Sequence, residues 1–353
     1  MTIRIIGGGI IGMATAYHLS VRGERPVVYE IDRAYETASF ARSCGGLRSQ
    51  FSTPGNILMS RYSIEFIKAT TDVPFTPNGY LLLFDESRRG DHDHTLALQQ
   101  DLGASTRSLS PNELAQLFPD MHVGDLYRGC LTTDSSEGWI DPVVLHGWYR
   151  DQCRAAGVDI RYGDYRDDRF ASSDTIIITA GFWTRDIARR FGVDVPVQGE
   201  KHTVFQVQTA RPQLTDCPLV ADLESGVYFR PEGNGYIAGY DGNNEGEAED
   251  LEPNWPSWDQ VWEKLYHRFP TLFDAARMTG AWAGYYDSST LDHNAIIDCH
   301  DNIHVATGFT GRGLMHSPAV GLAVTEQVLG MAPSFDLSGY RLGRDPLQEK
   351  YVI

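Results

Sequence analysis

The chain has 353 residues, of which 42% are hydrophobic and 22% charged, which is ordinary for a folded soluble protein with more than one domain. Its net charge of −17 argues against a basic nucleic-acid surface and against electrostatic docking on an anionic membrane. The five cysteines are scattered without a CxxC pair, so we expect no disulfide framework, no metal site and a reducing, cytoplasmic location. No apolar run is long enough to predict a membrane-spanning helix.

The first predicted unit is a strand, a glycine turn, a helix and a second strand. Residues 3–6 are mostly apolar, a helical pattern runs over 10–21, and "PVVYE" at 26–30 is typical of a buried strand. This order within about 30 residues predicts a βαβ unit.

The turn of this unit fits the pattern GxGxxG at Gly7, Gly9 and Gly12. Gly7 allows a tight turn, Gly9 lets a pyrophosphate approach the backbone, and Gly12 lets the helix pack closely on the strand. Glu30 ends the second strand, where its carboxylate can accept ribose hydroxyl groups. These residues predict a dinucleotide site, but their spacing does not choose between FAD and NAD.

Later elements alternate between α/β and β-rich character. In chain order we first predict a helix that begins at Thr53, short strands and turns over 77–139, and a helix that begins at Asp141. A strand over 174–181 and a helix from Trp183 follow. The rest is predicted as antiparallel strands over 197–285 with a solvated acidic loop at 245–252, and a strand, glycine loop and helix over 302–330. This order predicts a discontinuous α/β nucleotide-binding domain that carries a second, antiparallel-sheet domain as insertions.

Several ordered motifs together resemble one superfamily. They are the N-terminal "GGGIIG" with Glu30, "SFARSCGGLR" (39–48), "GWIDP" (138–142), "TAGFW" (179–183), "YFRPEGNGYIAGY" (228–240) and the C-terminal "DHNAIID" with "HVATGFTGRGLMHSPAVG". The chain resembles the D-amino-acid oxidase superfamily of FAD-dependent amine oxidoreductases, which includes sarcosine and glycine oxidases. Its "AGYYDSSTLDHNAIID" and "FDLSGYRLG" stretches resemble the subfamily that contains a mitochondrial FAD protein assisting complex I assembly.

The resemblance implies a Rossmann-like FAD-binding domain over 1–76, 140–196 and 286–335, a substrate domain over 77–139 and 197–285, and a C-terminal tail over 336–353. It places the flavin between the two domains. The residues implied to bind FAD are Gly7, Gly9, Ile10, Ile11, Gly12, Glu30, Arg33, Arg42, Ser43, Cys44, Gly181, Trp183, Gly311, Arg312, Gly313, Leu314 and Met315.

The family reaction transfers a hydride to the flavin from the carbon beside a neutral amine, and the imine then hydrolyses. Orientation matters more than a strong base in such a reaction, and an arginine suits a substrate carboxylate. Candidate catalytic residues are Arg48, Arg312, Tyr228 and His316, with Arg230, Tyr285 and His293 as weaker candidates. Each also has a purely structural alternative: an ion pair for the arginines, a core position for Tyr228 and a satisfied buried ring for His316.

Four positions differ from the sarcosine and glycine oxidase pattern. The lysine over the flavin corresponds to Ile237, and the lysine that holds substrate corresponds to Met315. The flavin-linking cysteine corresponds to a position near Gly284, and the glycine oxidase arginine to one near Trp282, so we expect non-covalent FAD and a differently held substrate. The expected partners are a small amine or amino acid and either O2 or another electron acceptor. A flavoprotein with an assembly role and little turnover, and an NAD-dependent dehydrogenase, are the alternatives.

Overall fold

The computed structural model describes residues 2–243 and 250–351. The predicted acidic loop at 245–252 therefore lies largely outside the described residues. Of this stretch, residues 250–252 are described. The Asp250 carboxylate accepts a hydrogen bond of 3.1 Å from Lys201 and its side chain stays 68% exposed, as a solvated loop requires.

Strands and helices together form two large sheets and the layers that cover them. The strands are β1 (Ile3–Ile6), β2 (Val27–Glu30), β3 (Gly46–Leu47), β4 (Phe75–Thr76), β5 (Tyr80–Asp85), β6 (Thr106–Leu109), β7 (Leu126–Thr132), β8 (Gly138–Ile140), β9 (Asp159–Tyr162), β10 (Thr175–Ile178), β11 (Val197–Gln208), β12 (Leu219–Asp222), β13 (Val227–Glu232), β14 (Gly235–Tyr240), β15 (Arg277–Ser289), β16 (Ile296–His300) and β17 (Ile303–Thr307). The helices are α1 (Ile10–Ser20), α2 (Pro54–Thr70), α3 (Arg89–Asp101), α4 (Pro111–Leu117), α5 (Pro142–Ala155), α6 (Thr184–Arg189), α7 (Trp258–Arg268), α8 (Pro270–Phe273) and α9 (Gly313–Leu329).

A six-stranded sheet has the order β16-β17-β10-β1-β2-β9, with β16 antiparallel and the other pairings parallel. Both faces of its central strands are buried, because Ile5 and Ile177 pack into the core under α1 and α9, whereas Ile6 and Ile178 pack into a separate core. Burial on both faces explains why the sequence shows continuous apolar runs here instead of alternation.

Helices α1 and α9 cross in close contact on one face of this sheet. A Cβ atom on Gly321 would lie 2.7 Å from the carbonyl carbon of Ala14, so the crossing requires glycine at this position. Although α9 is almost entirely buried, no helix among the described residues combines the length and apolar character needed to cross a membrane.

An eight-stranded sheet has the order β15-β11-β14-β13-β12-β5-β7-β6, and its pairings are antiparallel except for β12 with β5. Its core packs aromatic side chains of the sheet, including Phe205 and Phe229, against Phe269 and Phe273 at the end of α7 and in α8. A small third sheet pairs β3, β8 and β4. The predicted combination of an α/β sheet with a second, largely antiparallel sheet is confirmed, whereas the domain boundaries stay a prediction.

The helix α3 was not predicted within 77–139. Its buried face consists of His92, Thr95 and Gln99, which are polar and therefore give no apolar periodicity. Helix α7 lies in the segment predicted as antiparallel strands, and its buried positions include Val261 and Leu265, four residues apart.

Candidate functional site

A cavity of about 570 Å³ lies between the two large sheets. One end is formed by the carboxyl ends of β1 and β10 and the beginning of α1, which is where ligands bind in open parallel sheets. The other end is lined by residues of β5, β11, β13 and β15 and by the loop that leads into α9. The cavity therefore joins the predicted dinucleotide turn to the predicted substrate face.

The glycine turn is tightly packed on the side of the sheet and α1 and open on the side of the cavity. Gly7 has a φ of +103°, and a Cβ atom there would lie 2.7 Å from the carbonyl oxygen of Thr179. A Cβ atom on Gly12 would lie 1.9 Å from the carbonyl oxygen of Gly7, so only glycine permits this approach of α1 to the turn. At Gly9 a Cβ atom would meet no atom within 4 Å, and this residue faces the cavity.

Glu30 and His146 hold this turn from opposite sides. The Glu30 carboxylate accepts the N–H groups of Gly8 and Asp32, each at 2.8 Å, and also faces the cavity. The Nε2 atom of His146 lies 2.9 Å from the carbonyl oxygen of Gly8, and its ring stacks on Phe40. Burial lowers the pKa of His146 to about 4, so the neutral ring donates this hydrogen bond. His146 was not among the predicted site residues, and its only signal is its place on the buried face of α5.

The beginnings of α1 and α9 both face the cavity without side-chain caps. Neither N-cap residue, Gly9 or Arg312, accepts a side-chain hydrogen bond from the helix, and neither first turn contains an acidic residue. Since first-turn N–H groups have no partner within the helix, each end can stabilise an anionic group. The open space above Gly9, the two uncapped helix ends and the cavity size fit an extended dinucleotide such as FAD.

Two buried arginines line the far end of the cavity. Arg48 donates to the carbonyl oxygens of Gln50 and Tyr351, and its guanidinium carbon lies 4.0 Å from the Phe51 ring centroid. Arg312 donates to the carbonyl oxygen of His293 and lies 3.4 Å from Oδ1 of Asn294. Burial lowers the pKa of both guanidinium groups. Neither forms an ion pair within residues 2–243 and 250–351, so both can take an anionic ligand group.

An aromatic wall faces these arginines. Tyr80, Tyr228 and Tyr286 line the cavity, and the Tyr286 ring stacks on His202 with 4.1 Å between centroids. The Nε2 atom of His202 is buried and has no hydrogen-bond partner among the described residues. Burial lowers the pKa of His202, so the ring is neutral at pH 7 and can accept a proton. His202 was not among the predicted site residues either, since a single histidine in a strand carries no motif.

Asp287 is a second buried ionisable group at this end. Its carboxylate accepts the N–H of Gly308 at 2.9 Å and the hydroxyl of Thr307 at 3.2 Å. Burial raises the pKa of Asp287 to about 6, while backbone N–H groups oppose this shift. The side chain therefore braces the glycine loop between β17 and α9, which forms one wall of the cavity.

Most of the predicted site residues lie together around the cavity. Those that line it are Gly7, Gly9, Ile10, Ile11, Glu30, Arg42, Ser43, Cys44, Arg48, Gly181, Trp183, Tyr228, Gly311, Arg312, Gly313, Leu314 and Met315. The structure does not bring Gly12, Arg33 and His316 to the lining. Gly12 lies beneath the turn, and the exposed Arg33 lies over the Tyr162 ring at 5.5 Å.

His316 and Arg230 occupy structural positions. The Nε2 atom of His316 lies 2.9 Å from Oγ of Ser60, and burial lowers the pKa of His316 to about 3. Arg230 donates to the carbonyl oxygen of Cys44 at 2.9 Å and pairs with Glu232 at 2.5 Å. Both side chains lie outside the cavity lining. The ion pair of Arg230 agrees with its structural alternative, whereas the buried Nδ1 atom of His316 has no hydrogen-bond partner among the described residues, so its ring is only partly satisfied.

Two of the positions that differ from the oxidase pattern lie outside the lining. Ile237 is buried in β14, and Trp282 donates to the carbonyl oxygen of Arg42 at 2.8 Å. Ile237 therefore does not form part of the cavity wall. Gly284 does line the cavity, and Cys299 is exposed on β16. Tyr285 lines the cavity and donates to the carbonyl oxygen of Asp250 at 2.8 Å.

Comparison with known proteins agrees with this geometry. The sequence model of the DAO family, described as FAD dependent oxidoreductase, matches residues 2–327. FAD-dependent oxidoreductase domain-containing protein 1 of Xenopus laevis is 31% identical over 99% of this chain and 84% of its own length. The 4-methylaminobutanoate oxidase (formaldehyde-forming) of Paenarthrobacter nicotinovorans is 25% identical over 96% of this chain and 45% of its own length.

Among solved structures, L-proline dehydrogenase from P. horikoshii superposes with a TM-score of 0.86 at 23% identity, covering 96% of both chains, which supports the fold. The family match spans the glycine turn, Glu30, the cavity and the loop into α9. The chain therefore belongs to the DAO family of FAD-dependent oxidoreductases.

Proposed function

We propose that this protein oxidises a small amine or amino acid that carries a carboxylate. The observation that carries the proposal is the cavity itself, which joins a dinucleotide turn to a face with buried cations and aromatic rings. Two buried arginines that form no direct ion pair among the described residues suit an anionic substrate group, although the charge of the nearby Glu349 acts on both of them. An aromatic wall suits the apolar part of an amine.

The residues around the turn hold the cofactor. Gly9 and the first turn of α1 take the pyrophosphate, and Glu30 takes ribose hydroxyl groups. The first turn of α9, from Gly313, provides N–H groups for negative charge at the flavin end. When bound, FAD supplies a two-electron acceptor for a hydride from the carbon beside the amine, and the imine product then hydrolyses. We propose that FAD is held without a covalent bond.

His202 is the proposed proton acceptor for the substrate. An alkylammonium ion must lose a proton before the carbon beside it can release a hydride. His202 lines the cavity, and its neutral ring, stacked on Tyr286, has a buried Nε2 atom without a partner among the described residues. Arg48 orients the carboxylate, and the tyrosines of the aromatic wall exclude water from the reacting carbon.

An anaerobic screen tests the proposal. The purified holoprotein is mixed with a panel of N-methyl amino acids, cyclic imino acids and primary amino acids, and the loss of oxidised flavin absorbance is followed. We expect rapid bleaching by at least one carboxylate-bearing amine and none by the matched amide, in which the carboxylate charge is removed. Readmitting oxygen then separates an oxidase, which recolours quickly, from a dehydrogenase, which does not.

Two outcomes would contradict the proposal. A protein that binds FAD but is bleached by no amine in the panel would favour the assembly role with little turnover. Equal bleaching by acid and amide would contradict the assigned role of Arg48 and Arg312. For the active compound, we expect His202→Asn to lower kcat/KM at pH 7, and the pH dependence that remains should follow the ionisation of the substrate amine.

A further inference from the structure

A second cluster of chemically active side chains lies on the surface, away from the cavity lining. His122 and Asp125 belong to the loop before β7, and His267 belongs to the last turn of α7. Nδ1 of His122 lies 3.3 Å from Nε2 of His267, which lies 2.9 Å from Oδ2 of Asp125. Oδ1 of Asp125 lies 3.7 Å from Nδ1 of His122.

These separations match the edges of a metal coordination shell. Zinc bonds to nitrogen and carboxylate oxygen are about 2.0–2.1 Å long, so neighbouring ligand atoms in a tetrahedral site lie about 3.3 Å apart. The distances of 2.9 and 3.3 Å from His267 lie close to this value, the 3.7 Å distance reaches the other oxygen of Asp125, and one ligand atom from each residue lies within 4.8 Å of the others. A proton on Nε2 of His267 can form a good hydrogen bond to either His122 or Asp125 but not to both. A cation between the three side chains would instead bind all of them.

Arg268 holds the backbone and the side chain of this cluster in place. The N–H of His122 donates to the carbonyl oxygen of Arg268 at 2.8 Å, and the Arg268 guanidinium donates back to the carbonyl oxygen of His122. The same guanidinium binds both carboxylate oxygens of Asp125, at 2.8 and 3.1 Å. Each carboxylate oxygen has a second lone pair, which stays available for a metal ion.

The charge of the cluster also favours a cation. The positive charge of the buried Arg268 is already paired with the buried Asp222 at 2.8 Å. The carboxylate of Asp125 thus leaves one negative charge beside two imidazoles, in a chain of net charge −17. All three side chains are between 42% and 51% exposed, so an ion can enter and a water can complete the shell.

We propose that His122, Asp125 and His267 form a binding site for a divalent transition-metal ion of the zinc type. The ion links the last turn of α7 to the loop that begins β7, and so fastens a helix to the eight-stranded sheet. Histidine nitrogens and a carboxylate favour zinc, nickel or copper over magnesium or calcium.

Calorimetric titration with zinc chloride tests this site. The holoprotein is prepared without a polyhistidine tag and stripped with a chelator. We expect saturable binding of one ion per chain and a higher melting temperature with zinc than with the chelator. Replacing His122 or His267 with Gln should weaken zinc binding at least about tenfold, while the matched variant His300→Gln, at an exposed histidine of β16, should bind as the wild type does.

Cobalt chloride provides an independent readout. The visible absorption of a tetrahedral cobalt complex should appear in the wild type and in His300→Gln, and should be absent from the double variant His122→Gln/His267→Gln. Unchanged melting of that double variant in chelator shows that it still folds. Zinc binding of equal strength in the wild type and the double variant, or no saturable binding in either, would overturn the proposal.

Discussion

Gly9 and Gly12 lie three residues apart in one turn, yet an added methyl group would meet different surroundings at each. At Gly12 the group would lie 1.9 Å from a backbone oxygen, whereas at Gly9 it would enter open space that faces the cavity. Glycine is therefore required at position 12 for folding and at position 9 for the approach of the cofactor.

The matched variants Gly12→Ala and Gly9→Ala separate these two requirements. We expect Gly12→Ala to lower the melting temperature of the apoprotein, because backbone atoms must shift to admit the new Cβ. Gly9→Ala should melt as the wild-type apoprotein does but bind FAD at least about tenfold more weakly, since its methyl group displaces the phosphates. Thermal denaturation of the apoproteins measures this difference. Equal melting temperatures of the two variants would contradict the separate roles of Gly9 and Gly12.

At Arg48 the planar guanidinium matters as well as the charge. It donates to two carbonyl oxygens and stacks over Phe51 while facing the cavity, a geometry that lysine cannot reproduce. We expect Arg48→Lys to raise the KM of the active amine about 10- to 100-fold, the value of a hydrogen bond to a charged group.

Arg230→Lys is the control for this prediction. Arg230 is equally buried but lies outside the cavity lining, so its replacement should lower the melting temperature and leave KM nearly unchanged in the folded enzyme. Steady-state kinetics with flavin content measured in parallel provides the comparison. An Arg48→Lys enzyme with wild-type KM would remove this residue from the substrate site.

At the scale of elements, the segment 344–351 packs against Arg48 and the beginning of α2, outside the cavity lining. Glu349 accepts hydrogen bonds from Ser52, Thr53 and Asn56 at the beginning of α2, at 2.7 to 3.0 Å. Burial opposes its ionisation, but the charge of Arg312 and these hydrogen bonds hold the pKa of Glu349 below its usual value. The carbonyl oxygen of Tyr351 accepts a hydrogen bond from Arg48. The segment thus balances the charge of one cavity arginine and positions the other.

Removing the Glu349 carboxylate should affect stability and catalysis together. We expect Glu349→Ala to lower the free energy of unfolding by about 2 kcal/mol, because buried donors and the arginine charges lose their partner. It should also lower kcat/KM, since Arg48 loses its support through the displaced segment. Glu65→Ala, on the exposed face of α2, should change neither quantity in urea denaturation and kinetic assays. Wild-type stability of Glu349→Ala would show that the segment is not fastened by this contact.

At the scale of the whole molecule, three buried histidines make the fold sensitive to acid. Burial lowers the pKa of His18 and of His146 to about 4, and that of His316 to about 3, from an ordinary value of 6.5. Below pH 6.5 the unfolded chain binds these protons and the folded chain does not, so the free energy of unfolding decreases as the pH is lowered. Each histidine contributes about 1.4 kcal/mol per pH unit in this window. Burial raises the pKa of Asp287 to about 6, so the folded chain holds this proton more tightly than the unfolded chain does below that pH. This stabilises the fold in acid and offsets the contribution of one histidine.

Denaturant unfolding at pH 7 and pH 5 measures this effect. We expect a net loss of a few kcal/mol at pH 5, corresponding to at least about two protons per chain taken up on unfolding, since burial also lowers the pKa of His202 and of His304. His18→Leu, at a site among aromatic rings, should reduce the loss, and His300→Leu at the exposed surface should not. Equal stability of the wild type at the two pH values would contradict these burial-derived shifts.

How much of the fold and the site could be predicted depends on whether the signal is local. The unit from β1 to β2 was predicted because its apolar runs, its glycines and Glu30 lie within 30 residues, and each follows from backbone geometry. Helix α3 was missed because its buried face is polar. His202 and His146 reach the cavity through strand pairing and helix packing, which no short stretch records.

The sequence by itself determined the dinucleotide turn, the alternation of α/β and antiparallel segments, and the resemblance that implied FAD. These features rest on local periodicity and on positions where only glycine fits. Tertiary structure alone decided which arginines face the cavity, since Arg48, Arg230 and Arg312 are all buried and differ only in what surrounds them. It also brought His122 and Asp125 to His267, because only chain folding can join residues more than a hundred positions apart.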